Sequence, residues 1–249
     1  MGINESIPID EKKFGFRLYK VFPDGPLDKA GLKEIENFII PPEEIYTRQI
    51  RFSDYIQENA DKKLKLNIYS ILKRNFFQVE IQLNKYGDKN GILGGTIRYE
   101  NCYTAYKKVL HVIKVKDNSF SKNELNLEEL NDYIIALKPE DGDFQSLNNY
   151  QVNPLKAFSN IIKNNIGKKC DFYIYNKNLG TRVINVNIPN NDMFEMGCDV
   201  AFGKLHEFPY ISFDNKDIIE KKDLNWFKDI LFSFNIFEKN HLNLIFQTN

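Results

Sequence analysis

The sequence predicts an α+β protein of two similar small domains, each ordered strand, strand, helix, strand, strand, strand, with a helical extension after the second. Three observations predict it. Residues 16–99 and residues 110–202 carry the same blocks in the same order. Most of those blocks alternate apolar and polar residues with period two, the pattern of a strand with one buried face. Helical spacing is confined to one short stretch in each repeat and one near the C-terminus, and a repeated block order is the sequence signature of a duplicated unit.

The elements follow in order. Phe16-Arg-Leu-Tyr-Lys-Val21 matches Leu110-His-Val-Ile-Lys-Val115, and both alternate as strands. Ile35-Glu-Asn-Phe-Ile-Ile40 matches Leu130-Asn-Asp-Tyr-Ile-Ile135, a second and more apolar strand. A helix is expected over residues 53–60, with Phe52, Tyr55 and Ile56 on one side. Its counterpart starts with Asn153 as N-cap and Pro154 at the first helical position, and points Leu155, Phe158, Ile161 and Ile162 inward. Strands Leu64–Tyr69 and Cys170–Tyr175 come next, each with a hairpin partner, Phe77–Leu83 and Arg182–Ile188. The last blocks are Gly91-Ile-Leu-Gly-Gly-Thr-Ile-Arg-Tyr99 and Glu195-Met-Gly-Cys-Asp-Val-Ala-Phe202. Beyond the repeats, Leu224, Phe227, Ile230, Leu231 and Phe234 fall at helical spacing and Trp226 is the only Trp, which reads as a helix docked on the second domain. His241–Phe246 reads as a terminal strand. The division is then 1–13, 14–106, 107–209 and 210–249.

Composition excludes several functions. The 249 residues carry 34 basic and 34 acidic side chains, so the basic excess of a nucleic-acid binder is missing. Three Cys are too few for a disulfide framework and suit a reducing compartment. The apolar runs fall short of the roughly 20 residues of a membrane span, and the N-terminus lacks the apolar stretch of a secretory signal. The expected site is the cytosol. Chemistry-bearing motifs are scarce. His111 lies among strand residues and reads as structural, and Cys102 is its only faint metal-pairing neighbour. Gly91-x-x-Gly94-Gly95 precedes a strand with no Lys-Ser/Thr after it, so it is not a phosphate loop. Glu43-Glu44 and Glu128-Glu129 read as solvated loops. The expectation is a binding protein, not an enzyme, with no cofactor and no metal.

The chain opens Met1-Gly2-Ile3-Asn4-Glu5-Ser6, which fits the N-myristoylation pattern with Gly2 as acceptor. A single myristoyl chain holds membrane with a constant of only ~10⁴ M⁻¹. The neighbouring Lys12 and Lys13 are preceded by Asp10 and Glu11. The second contact that stable anchoring requires is therefore expected to be a protein.

Taken together with Gly2, these blocks resemble the Golgi reassembly and stacking protein (GRASP) family over residues 1–209. Gly15-Phe16-Arg17, Gly25-Pro-Leu-Asp-Lys-Ala-Gly-Leu32 and Asn37-Phe38-Ile39 carry the likeness in the first repeat. Asn131-Asp-Tyr-Ile-Ile135, Phe172-Tyr-Ile-Tyr-Asn176 and the closing Leu205-His206-Glu207-Phe208-Pro209 carry it in the second. The resemblance implies two tandem PDZ-like domains of permuted strand order, in which the groove strand comes last. It also implies a lipid anchor on Gly2, a golgin-like coiled-coil partner, self-association in trans, and a place on the cytoplasmic face of Golgi membranes, in stacking and unconventional secretion. A PDZ-like groove lies between a free sheet edge and a helix, and its peptide adds as a strand. In the first domain the groove is expected at Ile92, Leu93, Gly94, Gly95, Thr96 and Ile97, walled by Tyr55 and Ile56. In the second it is expected at Met196, Gly197, Cys198 and Val200. Here the chain departs from the family: Ser119–Leu125 replaces a Pro- and Gly-bearing turn and Asn190–Phe194 replaces a Gly-rich approach. Glu195 and Asp199 also place negative charge beside the anion position. The first domain is therefore expected to be the working groove and the second to contribute an interface. The alternative is a soluble PDZ adaptor without membrane tethering.

Overall fold

The computed structural model describes residues 14–142, 144–149, 153–191 and 194–210. Gly2, the helix expected near Trp226 and the strand expected at 241–246 lie outside them. The first sheet is built from β1 (Phe14–Val21), β2 (Asn37–Ile40), β3 (Lys63–Ser70), β4 (Asn75–Gln82) and β5 (Gly95–Asn101). Three helices interrupt it: α1 (Pro26–Lys29), α2 (Glu43–Thr47) and α3 (Phe52–Glu58). The second sheet uses β6 (Leu110–Val115), β7 (Asp132–Pro139), β8 (Gln145–Ser146), β9 (Lys169–Asn176), β10 (Gly180–Asn187) and β11 (Cys198–Ala201), with α4 (Phe120–Asn123) and α5 (Pro154–Asn164). The spatial orders are β4-β3-β2-β1-β5 and β10-β9-β7-β6-β11, with β8 paired to β7. Apart from β8 the two orders correspond strand for strand, and all the pairings are antiparallel.

The duplication reaches single hydrogen bonds. Ile35 N–H donates to Leu18 O at 2.7 Å, and Leu130 N–H donates to Val112 O at 2.8 Å. Val21 N–H donates to Glu34 and Val115 N–H to Glu129, both at 2.8 Å. Phe22 N–H reaches Gly94 O and Lys116 N–H reaches Gly197 O, both at 2.9 Å. These bonds impose one departure from the expected boundaries. The second strands start at Asn37 and Asp132, because Ile35 and Leu130 hold left-handed backbone, φ +65° and +62°. A β-branched residue resists that region, so the surrounding bonds over-determine it at Ile35.

Two other expectations are corrected. Glu43 and Glu44 are not in a loop but form the first turn of α2, where carboxylates suit the positive helix end. On α5, Asn153 caps the helix as expected, accepting from Leu155 N–H at 2.8 Å. Leu155 itself faces out, 41% exposed, and Ala157 takes the inward place beside Phe158, Ile161 and Ile162. Leu155 lies in the opening turn, before the helix meets the sheet.

Each sheet has its own core against its helices, one around Leu18, Ile39, Ile56 and Ile68, the other around Leu110, Ile134, Phe158 and Phe172. A third cluster joins them: Tyr19, Phe38, Tyr69 and Ile71 from the first sheet region meet Tyr133, Ile135, Phe144, Tyr175 and Phe208 from the second. This junction covers the other face of β1, so Arg17, Leu18 and Tyr19 are all buried and the period-two pattern does not show it.

Candidate functional site

The site follows from where β5 lies. Strand β5 closes the first sheet at one edge, paired to β1 alone among the described residues. An edge strand offers a row of backbone donors and acceptors. Facing it across a cleft is α3, whose Phe52, Tyr55 and Ile56 recur at helical spacing and are buried. The cleft has a volume of about 520 Å³ and is lined by Ile56 and Phe52 from the helix, Phe16 from β1, and Ile92, Leu93, Gly95 and Ile97 from the strand and its approach. Arg51, Ser53, Gln57 and Gly91 complete the rim.

Of the residues expected from sequence, Ile56, Ile92, Leu93, Gly95 and Ile97 line the cleft. Tyr55 is buried in the domain core, and Thr96 is exposed on β5 pointing away from the lining. Gly94 lies behind the strand's start. Its φ is +76°, and a Cβ there would stand 2.5 Å from Pro26 Cδ. Gly94 thus lets β5 begin close against α1. The approach at 91–93 is a hydrogen-bonded turn that leads into β5 at the mouth of the cleft. The residues that sequence reading missed, Phe16, Phe52 and Arg51, carried a usable signal. Phe52 and Ile56 are spaced i, i+4, and Phe16 shares a face of β1 with buried Leu18.

Beneath the site runs a buried polar network. Arg17 has no exposed surface; its Nε–H donates to Ile35 O at 2.9 Å and its Nη1 lies 3.7 Å from Glu100 Oε2. Glu100 accepts from Tyr19 O–H at 2.5 Å and from Asn148 Nδ2 at 3.3 Å. Burial, with the Glu100 charge beside it, pushes the Tyr19 hydroxyl well above its ordinary pKa. The corresponding place in the second sheet holds His111, whose Nε2 lies 3.0 Å from Leu130 O and whose ring stacks on Tyr133 at 4.4 Å. Among the described residues no cluster of three or more His, Cys, Asp or Glu is placed to hold a metal, and Cys102 is buried in the junction core.

The second domain's edge strand differs. β11 has four residues against seven in β5. Met196, Cys198 and Val200 pack against the domain's own core, and Phe194 meets Phe120 edge-on at 5.1 Å. Gly197 has φ +73° and closes on Ser119 as Gly94 does on Pro26. Glu195 is exposed and lies 3.6 Å from Lys116 Nζ, which offsets its charge. Strand length separates this edge from the first more than that carboxylate does.

Two sheets of matching permuted order, each ending in its edge strand, make this a tandem PDZ-like protein. The profile of the GRASP55/65 PDZ-like domain matches residues 9–94 and 67–211, and the chain belongs to that family. Golgi reassembly-stacking protein 1 of Homo sapiens is 25% identical over 201 residues, 78% of this chain and 43% of the relative. The Mus musculus protein of the same name is 25% identical over 215 residues, 84% of this chain and 45% of the relative. The chain thus spans less than half the length of these relatives.

Proposed function

We propose that this chain is a non-enzymatic, lipid-anchored scaffold that binds peptides and tethers Golgi membranes. The observation that carries the reading is the free edge of β5 beside an apolar cleft. An extended peptide added there gains main-chain hydrogen bonds along β5 and buries side chains against Phe16, Ile56 and Ile97. The glycine-bearing turn at the start of β5 lets a terminal carboxylate approach the backbone there. The working groove belongs to a first domain at 14–106, and the second domain, at 107–209, serves mainly as an interface. The family resemblance supports the rest: myristoyl-Gly2 and a golgin-like coiled-coil partner hold the protein on the cytoplasmic Golgi face, and groove contacts in trans join facing membranes. Two weak anchors combine through effective concentration.

Leu93 lines the cleft and is 8% exposed. Leu93→Arg should abolish peptide binding in calorimetry, and unchanged affinity rejects the groove. The membrane half has its own test. Gly2→Ala should move the protein to the soluble fraction of cells. Retention on membranes at the wild-type level rejects the lipid anchor and leaves a protein partner as the sole attachment.

A further inference from the structure

The cleft of the first domain does not stop at α3. Phe52 stacks on Phe16 with ring centres 4.4 Å apart, Phe16 meets Tyr99 at 5.1 Å, and Tyr99 stacks on Phe14 at 5.3 Å and 17°. The four rings form a continuous column that leaves the cleft past the helix N-terminus and follows β5 toward its end. Its inner members are covered: Phe52 is 6% exposed. Its outer members are not: Tyr99 is 48% and Phe14 44% exposed. The sheet register puts them on the cleft's face, because Phe16 pairs with Tyr99 and Leu18 with Ile97, and residues opposite one another share a face. The Tyr99 hydroxyl is hydrogen-bonded to Tyr46. That bond satisfies the polar end of the side chain and fixes the ring, so an incoming group meets a preset surface with little entropy left to lose.

We propose that Tyr99 and Phe14 form an aromatic shelf that selects ligands carrying an aromatic residue four positions before the residue held at the mouth of the cleft. The proposal rests on the peptide groove assigned above. The turn at 91–93 and Gly94 lie at the start of β5, where the cleft opens. A peptide carboxylate received there makes the ligand run antiparallel to β5. Its last side chain then falls opposite Gly95. Side chains recur on one face every second residue, at roughly 3.4 Å per residue. The residue two places earlier lies opposite Ile97, and the residue four places earlier opposite Tyr99, about 13 Å from the mouth. β5 runs from Gly95 to Asn101, long enough to pair with all of these positions. A planar, apolar side chain arriving at the shelf extends the ring column by one member. The second domain offers Phe202 at the position of Tyr99, 38% exposed, but β11 ends one residue earlier at Ala201, so no paired strand carries a ligand to it.

The test titrates the full chain with two fluorescein-labelled peptides, one ending Phe-Ser-Thr-Thr-Leu and the other Ala-Ser-Thr-Thr-Leu, each with a free C-terminus. The expected result is that the Phe peptide binds about five-fold tighter, the worth of one added aromatic pair. In Tyr99→Ala that ratio should fall to about one. Phe14→Ala, at the exposed end of β1, gives a second variant, and thermal melts identify any variant that has lost the fold. Equal affinity of the two peptides for the wild-type chain overturns the shelf and leaves the groove standing. Binding of neither peptide overturns both.

Discussion

Arg17 is a cation without exposed surface, and its position shows how much one buried residue can require. Its Nε–H meets Ile35 O, its charge faces Glu100, and the guanidinium lies over the Phe38 ring at 5.4 Å. Arg17→Ala strips the Ile35 carbonyl of its donor and leaves the Glu100 carboxylate buried with neutral partners only. Losing one member of a buried pair costs about 3–5 kcal/mol, and urea unfolding should read a loss of that size. Arg17→Met with Glu100→Gln, which removes both charges, should lose less. At His111 the sign of the effect is set by burial, which lowers the imidazole pKa below its ordinary value. With Nε2–H donated to Leu130 O, Nδ1 accepts from His206 Nδ1–H at 3.2 Å. Protonating His111 would place a charge on a ring that burial disfavours, near the Lys177 ammonium, whose Nζ already donates to the Leu130 carbonyl at 2.8 Å. The unfolded chain takes up the proton first, at a pKa of about 6.5, so the stability His111 contributes is complete above that pH and is lost as pH falls below it. The urea midpoint should drop between about pH 7.5 and 5.5, and His111→Phe should flatten that slope. Sequence showed His111 as a structural strand residue. It did not show His206 as the partner, because nothing local relates side chains 95 positions apart. Arg17 was hidden for another reason: alternation reports one buried face, and the junction covers the second.

At the scale of elements, the order of strands was legible because it is written twice, and their edges were not. Each repeat has a left-handed residue just before its second strand, at Ile35 and Leu130, and neither side chain advertises that backbone. Helix α2 was missed since five residues offer too little periodicity. It stands on buried Ile45, on Pro42 before its first turn and on the Glu44–Arg48 pair at 3.0 Å. The cleft was half legible. Gly94 and Gly95 marked a close backbone approach, but the approach at Gly94 is to α1 and not to a ligand. This gives a comparison between two glycines with similar φ. Gly91 has φ +71° and open space where a Cβ would go, whereas a Cβ on Gly94 would meet Pro26 Cδ at 2.5 Å and Pro26 N at 2.9 Å. Gly91→Ala should cost about 1 kcal/mol, the penalty of left-handed backbone alone, and Gly94→Ala about 2–3 kcal/mol, since Pro26 must also shift. Equal losses in thermal melts would show that α1 gives way and that the Gly94 contact does not hold the strand's start.

The whole molecule is held by the junction between its sheets. Tyr133 and Tyr175 of the second sheet, whose ring centres are 6.5 Å apart, both meet Phe208, at 5.9 Å and 4.4 Å, and the Phe208 N–H donates to Tyr106 O at 2.7 Å. Phe208 follows the last strand, is 1% exposed and packs in the same cluster as Tyr19, Phe38 and Tyr69. The segment after β11 therefore clasps the two halves, with Arg74 of the β3–β4 turn paired to Glu207 at 3.1 Å. In the sequence Leu205–Pro209 stood out only as a family-like ending, since its contacts belong to the pairing of two repeats and not to either alone. A buried polar link crosses the same junction, from Glu100 through Asn148 Nδ2, which also donates to Asn101 O at 2.7 Å. Separating the halves would expose these tyrosines and leave the Glu100 carboxylate with fewer donors, so neither half should be stable while the other unfolds. Far-ultraviolet dichroism and tyrosine fluorescence should follow one coincident urea transition. Phe208→Ala removes a ring from the centre of the junction and should cost about 3–5 kcal/mol. It should do so by lowering the single transition or by splitting it in two. Two separate transitions in the wild-type chain, or a Phe208→Ala loss under about 1 kcal/mol, would mean that the halves stand independently and that the clasp carries no stability.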